Sequence, residues 1–287
     1  MRFLSISIYL WCLVFFYSSC VNKEFKDETS SSETSSSLYV AVGANGTILT
    51  SSDGTSWTER TSGTSNDLFE VTYENSTFVT IGNGGTILTS TDGTKWTSRT
   101  SGTSQQLRGV TYGNSDFVTV GQSGTILTST DGTKWTSRTS GTSQILRGTT
   151  YGNGTFVTVG WNGTILTSTD GTTWTSRTSG TSQILRGTTY WNSNFVTVGN
   201  GGTILTSTDG TTWTSRTSET SQHLHGVTYG NSNFVTVGNG GTILTSTDGT
   251  TWTSGTSGTL SDLWGFIYQI LPWLIIKPEL KKGVSIK

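Results

Sequence analysis

A tryptophan recurs every 39 residues along most of this chain, and this period constrains the fold more than any other feature. Phenylalanine and tyrosine series keep the same step, and the copies align without an insertion or a deletion. Self-similarity at a fixed period of this length is the signature of a repeat fold in which each unit packs on its neighbours. The tryptophans of the series are Trp57, Trp96, Trp135, Trp174, Trp213 and Trp252.

Each repeat divides into four strand candidates that are separated by turn residues. In the unit that starts at Leu107 these are LRGVTY, DFVTVG, TILTST and KWTSRT. The segments are rich in Val, Ile, Thr and aromatic residues, whereas Gly, Asn, Asp and Ser fill the connections. Four antiparallel strands in about 40 residues make one blade of a β-propeller. The sequence therefore predicts an all-β propeller over residues 38–269.

The order of the strand candidates predicts six blades. With the strands named A to D, the repeats open at Leu38 on a strand B, five complete units follow, and one more strand A begins at Leu263. Joining that strand to the first B, C and D gives a closing blade shared between the N- and C-terminal strands, which removes exposed sheet edges. The segment 273–276 aligns with FVTV, so a vestigial strand of a seventh blade stays open as an alternative. Residues 270–287 otherwise form a tail that does not follow the repeat.

The third hairpin of every repeat carries the pattern Ser-x-Asp-Gly-x-x-Trp, as in STDGTKW at 129–135. This pattern resembles the Asp-box, or BNR repeat, of sialidase-like and photosystem-assembly-factor-like propellers, in a form one residue shorter. The resemblance implies a structural role, in which the aspartate accepts backbone hydrogen bonds and the tryptophan packs beneath the hairpin. The aspartates concerned are Asp53, Asp92, Asp131, Asp170, Asp209 and Asp248.

The first 37 residues are predicted to be a signal and a spacer. Residues 1–19 contain Arg2 and an apolar run that is short for a membrane-spanning helix. With Cys20 they resemble a bacterial lipoprotein signal, which implies a lipidated Cys20 and a membrane anchor in a bacterial cell envelope, at the outer membrane or cell surface. An ordinary cleaved signal and an uncleaved anchor are the alternatives. Residues 20–37 are polar and Ser/Thr-rich, so we expect a flexible tether.

Composition and charge argue against several classes of function. The net charge is −1 and no basic stripe is present, so no nucleic-acid partner is predicted. A sialidase needs an asymmetric cluster of arginines and carboxyl groups, but the arginines here repeat with the blades and glutamate is scarce. The only histidines, His223 and His225, have no acidic or thiol ligand beside them. We therefore predict no catalytic residue, no metal and no cofactor.

The residues that break the repeat are the candidate ligand-binding residues. In a propeller the B–C and D–A connections share one face of the disc, and the A–B and C–D connections share the other. On the first face, the second residue of strand A differs between repeats, and Trp161 replaces a small or polar residue. On the second face, Trp191 breaks the repeat. The candidates are Phe69, Arg108, Arg147, Arg186, His225, Trp264 and Trp161.

A circle of aromatic and cationic side chains suits an interaction surface, because such residues dominate binding energy at interfaces. The alternative is that these side chains only fill space between the blades. We therefore predict a non-catalytic scaffold, exported and lipid-anchored, that recognises a protein or a glycan through one face of the disc. A sialidase-like glycoside hydrolase and a truncated paralogue without activity are the alternatives.

Overall fold

Short strands in six sheets make up the part of the chain that the computed structural model describes, residues 19–25, 36–267 and 275–278. Five of these sheets have four antiparallel strands each, and in each of them the strands follow one another in chain order. The sixth sheet combines strands from both ends of the chain. Six propeller blades, with a closing blade shared between the N- and C-terminal strands, are therefore confirmed.

The strands are numbered in chain order. Their bounds are β1 (Ser19–Phe25), β2 (Ser36–Val42), β3 (Ile48–Ser51), β4 (Thr58–Arg60), β5 (Leu68–Glu74), β6 (Thr77–Gly82), β7 (Ile87–Ser90), β8 (Thr97–Arg99), β9 (Leu107–Gly113), β10 (Asp116–Gly121), β11 (Ile126–Ser129), β12 (Thr136–Arg138), β13 (Leu146–Gly152), β14 (Thr155–Gly160), β15 (Ile165–Ser168), β16 (Thr175–Arg177), β17 (Leu185–Trp191), β18 (Asn194–Gly199), β19 (Ile204–Ser207), β20 (Thr214–Arg216), β21 (Leu224–Gly230), β22 (Asn233–Gly238), β23 (Ile243–Ser246), β24 (Thr253–Ser254), β25 (Leu263–Ile267) and β26 (Ile275–Pro278). Strands β5–β8 form blade 1, β9–β12 blade 2, β13–β16 blade 3, β17–β20 blade 4 and β21–β24 blade 5. The other six strands form the closing blade.

Strand B is buried on both faces, which explains its nearly continuous apolar sequence. In blade 2 the side chains of Phe117, Val118 and Val120 are inaccessible to solvent. Thr119 is equally buried, and its hydroxyl donates a hydrogen bond to the Gly109 carbonyl at 2.9 Å. The same bond recurs in blades 1, 3, 4 and 5. A threonine is tolerated in this core because its hydroxyl always has a partner.

The hydrophobic clusters lie at the junctions between blades. Val118, Val120 and Ile126 of blade 2 pack against Leu146 and Phe156 of blade 3. Equivalent clusters join the other neighbouring blades from the closing blade to blade 5. A single blade cannot bury its apolar faces alone, so the stability of each blade depends on its neighbours.

The Ser-x-Asp-Gly hairpin between strands C and D is closed by its own side chains. In blade 2 the hydroxyl and the N–H of Thr133 donate to the carboxylate of Asp131, and these bonds hold the pKa of that carboxyl well below its ordinary value. The Ser129 hydroxyl accepts the Gly132 N–H at 2.9 Å, and Trp135 Nε1 donates to the Gly132 carbonyl at 2.9 Å. The aspartate therefore accepts backbone hydrogen bonds across the turn, as the sequence pattern indicates.

The same hairpin packs against the preceding blade. A Cβ atom on Gly132 of blade 2 would lie 3.2 Å from Val79 of blade 1, and one on Gly210 of blade 4 would lie 3.1 Å from Val157 of blade 3. These glycines also have φ near +75°, a conformation that other residues rarely adopt. Glycine is therefore favoured at this position by its backbone conformation, and in blades 2 and 4 also by the closeness of the preceding blade.

The closure differs in one detail from the predicted pairing. Strand β2 does not pair directly with the strand that begins at Leu263; β1 lies between them, antiparallel to β2 and joined to β25 through the parallel pair of Cys20 and Ile267. Strand β26 pairs with the other edge of β25, where the sequence left a vestigial extra strand open. Strand β1 reaches the open edge of β2 through a short connection, whereas pairing with β25 must close a loop of over 200 residues.

The predicted signal and most of the predicted tether and tail lie outside the described residues. Cys20 itself is in β1, within the segment predicted to be flexible. Lipidation and export stay predictions. No helix in the described parts of the chain is long and apolar enough to cross a bilayer.

Hydrogen bonds between the connections define the two faces of the disc. The B–C turn of blade 2 contacts the D–A loop through the Gln122 N–H and the Gln106 carbonyl, 2.9 Å apart. On the opposite side the Asn194 side-chain amide, after the A–B turn of blade 4, donates to the Asp248 carbonyl in the C–D hairpin of blade 5 at 3.3 Å. We call these surfaces the B–C face and the C–D face.

Candidate binding site on the B–C face

The second residue of each inner strand sits at a β-bulge. In blade 2 Val120 pairs with Gly109 and Gly121 pairs with Leu107, so Arg108 is the extra residue of the bulge. The same shift in register occurs in blades 1, 3, 4 and 5. A bulge redirects the side chain of the extra residue and is common beside functional sites. The bulge residues, with Trp264 at the equivalent position of β25, form what we call the strand-A ring: Phe69, Arg108, Arg147, Arg186, His225 and Trp264.

Two pairs of neighbouring side chains in the strand-A ring contact each other. The guanidinium carbon of Arg108 lies 5.5 Å from the centroid of the Phe69 ring, within the range of a cation–π interaction. At the other end of the ring His225 and Trp264 are stacked, with centroids 3.9 Å apart and planes at 15°. The structure therefore brings these predicted residues together across the junctions between blades.

The strand-A ring is also tied to the B–C turns. Arg186 Nε donates to Asn200 Oδ1 at 2.6 Å, and His225 Nε2 is bonded to Asn239 Oδ1. In blade 3, Trp161 occupies the position of these two asparagines, and its backbone N–H donates to the Ile145 carbonyl. The Trp161 side chain is 40% exposed, so it adds an accessible aromatic surface to the B–C face.

His225 is neutral near pH 7. Burial lowers its pKa to about 4, and the charges of Arg186 and Arg147 act in the same direction, against the Asn239 hydrogen bond and the charge of Asp262. The positive charge of the ring is therefore carried by its arginines and not by the histidine.

The two histidines do not share a site. His223 precedes the strand, and its Nδ1 accepts the N–H of Gly201 in the neighbouring turn at 3.0 Å. His225 is a bulge residue and bonds to Asn239 of its own blade. The two imidazoles therefore form hydrogen bonds with different turns of the B–C face.

Polar groups at the end of four of the six D–A loops were missed by the sequence reasoning. Asp67 Oδ1 accepts the Asn45 N–H at 2.9 Å and its Oδ2 accepts the Asn83 amide at 3.1 Å, while Asp262 Oδ1 accepts the Gly240 N–H at 2.9 Å. The sequence does single out this position, because it carries Asp, Gln, Ile or His in different blades while most of the repeat is constant. These carboxylates fix the B–C turns beside the strand-A ring.

Glu70 is a second residue whose importance only the structure reveals. A Cβ atom on Gly109, its equivalent in blade 2, would lie 2.8 Å from the Arg147 carbonyl, because the inner strands of neighbouring blades pack closely here. In blade 1 the side chain enters this junction, and Glu70 Oε2 accepts the Val110 N–H at 2.7 Å. Burial raises the pKa of Glu70 to about 7, although the Val110 hydrogen bond opposes this effect. The signal was the glycine in all other complete blades.

The sheet order, the inner bulged strands and the two loop faces define the molecule as a β-propeller. No family model and no curated protein matches the chain. Solved structures do. The structure described as YCF48 bound to D1 peptide matches with a TM-score of 0.66 and 20% identity, over 80% of this chain and 82% of that chain.

Two further matches agree on the fold. YCF48 from Cyanidioschyzon merolae has a TM-score of 0.65 and 17% identity, over 81% of this chain and 85% of that chain. The WD40 β-propeller domain of Doa1 has a TM-score of 0.66 and 12% identity, over 91% of this chain and 88% of that chain. At these identities the matches show the propeller fold alone.

Proposed function

We propose that this propeller is a non-catalytic scaffold that binds a protein partner through the strand-A ring and the turns around it. The observation that carries the proposal is the ring itself. Bulges present its side chains at the same position of successive blades. In chain order the ring has a phenylalanine, three arginines, a histidine and a tryptophan, and its two ends contain aromatic contacts. Arginine and tryptophan are the residue types that contribute most to protein interfaces.

A similar propeller gives support from outside the chain. The matching YCF48 structure is described as bound to a D1 peptide. A peptide with carboxylate and apolar side chains would complement the arginines and the aromatic members of the strand-A ring. The proposed partner is therefore a protein segment, and a glycan on this face is the second candidate.

The carboxyl groups near the ring favour binding over hydrolysis. A glycosidase needs two carboxyl groups held on either side of the scissile bond. On the B–C face Asp67 and Asp262 accept hydrogen bonds from the turns, and Glu70 is bonded to the neighbouring strand. Each of the three has a structural partner. Hydrolysis of a sialoside or another glycoside by the purified protein would contradict the non-catalytic proposal.

Two further parts of the proposal concern location. The sequence pattern around Cys20 supports a lipidated N-terminus that anchors the propeller in a bacterial envelope. Since Cys20 lies in β1, such an anchor would hold the disc close to the membrane. Chemical identification of the mature N-terminus tests this part separately from binding.

Affinity capture with matched variants tests the binding surface. The intact chain, an Arg108→Ala/Arg147→Ala/Arg186→Ala variant and a Trp191→Gly variant are immobilised and exposed to the same envelope extract. A protein retained by the intact chain is then purified and titrated against all three. We expect the triple variant to bind it more than about tenfold more weakly, because truncated arginine hot spots cost over 1 kcal/mol each. Equal affinity of the triple variant, or loss only with Trp191→Gly, would place the working surface elsewhere.

A further inference from the structure

Trp191 is an exception to the repeat on the C–D face. Its equivalents in blades 2, 3 and 5 are glycines, and in blade 1 a glutamate. A Cβ atom on Gly113 would lie 2.0 Å from the ring of Tyr151, and one on Gly152 would lie 2.0 Å from the ring of Tyr190. The tyrosine of the following blade therefore rests directly on these glycines. A tryptophan at this position must displace that tyrosine or stack on it.

The structure shows stacking. The rings of Trp191 and Tyr229 have centroids 5.0 Å apart and planes at 20°. Tyr229 in turn packs edge to face on Phe234, at 4.8 Å and 69°, and Phe234 is fully buried. Three aromatic rings thus lead from the core to the surface. Trp191 is held on one side by this column and is nevertheless 48% exposed, so it offers a rigid aromatic surface to solvent.

The turns beside this aromatic surface carry amide and hydroxyl groups. Asn192 and Ser193 form the exposed turn after Trp191, and Asn231 and Ser232 form the exposed turn after Tyr229. The hairpin position that is Lys95 and Lys134 in blades 1 and 2 is threonine in blades 4 and 5. The carboxylates of the adjacent hairpins are engaged with the N–H and hydroxyl groups of their own turns.

We propose that Trp191 and Tyr229 form a second binding site, which holds one sugar ring of a neutral oligosaccharide. The C–H face of a pyranose is apolar and flat enough to stack on an indole. Its hydroxyl groups match the amides and hydroxyls at the rim. The column beneath Trp191 fixes the indole before binding, which reduces the entropy lost on association.

Size and charge favour this ligand over a protein. A stable protein interface buries about 800 Å² on each partner, whereas a single half-exposed indole with a hydroxyl-rich rim presents an area suited to one ring. The rim residues that the structure describes, Asn192, Ser193, Asn231 and Ser232, carry no positive charge for an anionic sugar, in contrast to the strand-A ring on the other face. The site is independent of the proposed protein-binding function, since it uses the opposite face of the disc.

The repeat itself supplies matched variants for the test. Trp191→Gly installs the residue of three other blades, so the fold tolerates it, and Trp161→Asn does the same for the exposed tryptophan on the B–C face. The intact chain and both variants are titrated calorimetrically with neutral hexasaccharides of glucose, xylose and mannose, with sialyllactose as the charged comparison. Thermal unfolding of each variant checks the fold.

We expect at least one neutral hexasaccharide to bind the intact chain and the Trp161→Asn variant equally. Trp191→Gly should weaken that binding at least about tenfold, and Trp191→Phe should retain part of it because a ring remains over Tyr229. Absence of binding by all neutral saccharides would overturn the proposal. So would unchanged affinity of Trp191→Gly, or tighter binding of sialyllactose than of any neutral sugar. None of these outcomes bears on the arginine variants, so the two proposals can fail separately.

Discussion

Replacing Glu70 by glutamine removes a proton-binding group from the junction between blades 1 and 2. The pKa of Glu70 is raised from 4.5 to about 7 in the folded protein. Between these two pH values the folded chain keeps a proton that the unfolded chain has lost. The stabilisation from the protonated group is therefore full below pH 4.5 and is lost as the pH rises through 7. The distance between the two pKa values corresponds to about 3 kcal/mol.

The glutamine variant should not show this loss. Its side-chain oxygen can still accept the Val110 N–H, but the group cannot ionise. We expect Glu70→Gln and the original chain to have similar free energies of unfolding near pH 4.5. At pH 8 the variant should be more stable by up to about 3 kcal/mol. Urea unfolding at several pH values, followed by tryptophan fluorescence, measures the difference.

Two further variants make this test specific. Glu59→Gln changes an exposed glutamate of β4 and should leave the pH profile unchanged. Glu70→Gly installs the residue of the other complete blades and should also flatten the profile. If the stability difference between Glu70→Gln and the original chain were the same at pH 5 and pH 8, the carboxylate would not be buried between the inner strands, and the reasoning would be refuted.

Three other outcomes are expected. Asp131→Asn should lower the melting temperature near neutral pH and have less effect as the pH falls below 3.8. The hydrogen bonds that lower the pKa of Asp131 stabilise the fold only while the carboxyl is ionised. An effect independent of pH would contradict this. Deleting residues 262–287 removes the buried Leu263 and should cost at least about 2 kcal/mol; unchanged thermal stability would show that β25 does not support the ring. Mass spectrometry of membrane-extracted protein should find a lipid on Cys20, and a mature N-terminus at another residue would contradict lipidation.

The blade architecture could be predicted because local signals and packing agree at each position. The segment DFVTVG is apolar enough to be a strand buried on both faces, and it is one. The turn residues Asn45 and Gly84 have positive φ, as their residue types indicate. Strand D begins at Thr136, two residues after the predicted start at Lys134, since the Trp135 side chain closes the hairpin and does not join the ladder.

Contacts between blades could not be predicted from the pattern of one repeat. Nothing in the sequence near Ser19–Phe25 distinguishes a polar tether from an inner strand, because the choice depends on the free edge of β2. The partners of Glu70 and of Trp191 both lie in the following blade. In the sequence, Glu70 and Trp191 are recognisable as departures from the repeat. Which residues they contact depends on the distance between neighbouring inner strands.

The repeated junction has a consequence for how such a chain can change over generations. In blades 1 to 5 the hairpin glycine meets the same strand of the preceding blade, so an added or deleted 39-residue unit would bring the same pairs of side chains into contact. Recombination between nearly identical stretches of a gene exchanges whole codons and keeps the reading frame. The number of blades is therefore free to vary without a new kind of contact. Residues such as Glu70 and Trp191, which occur in one copy only, would identify which blade was gained or lost.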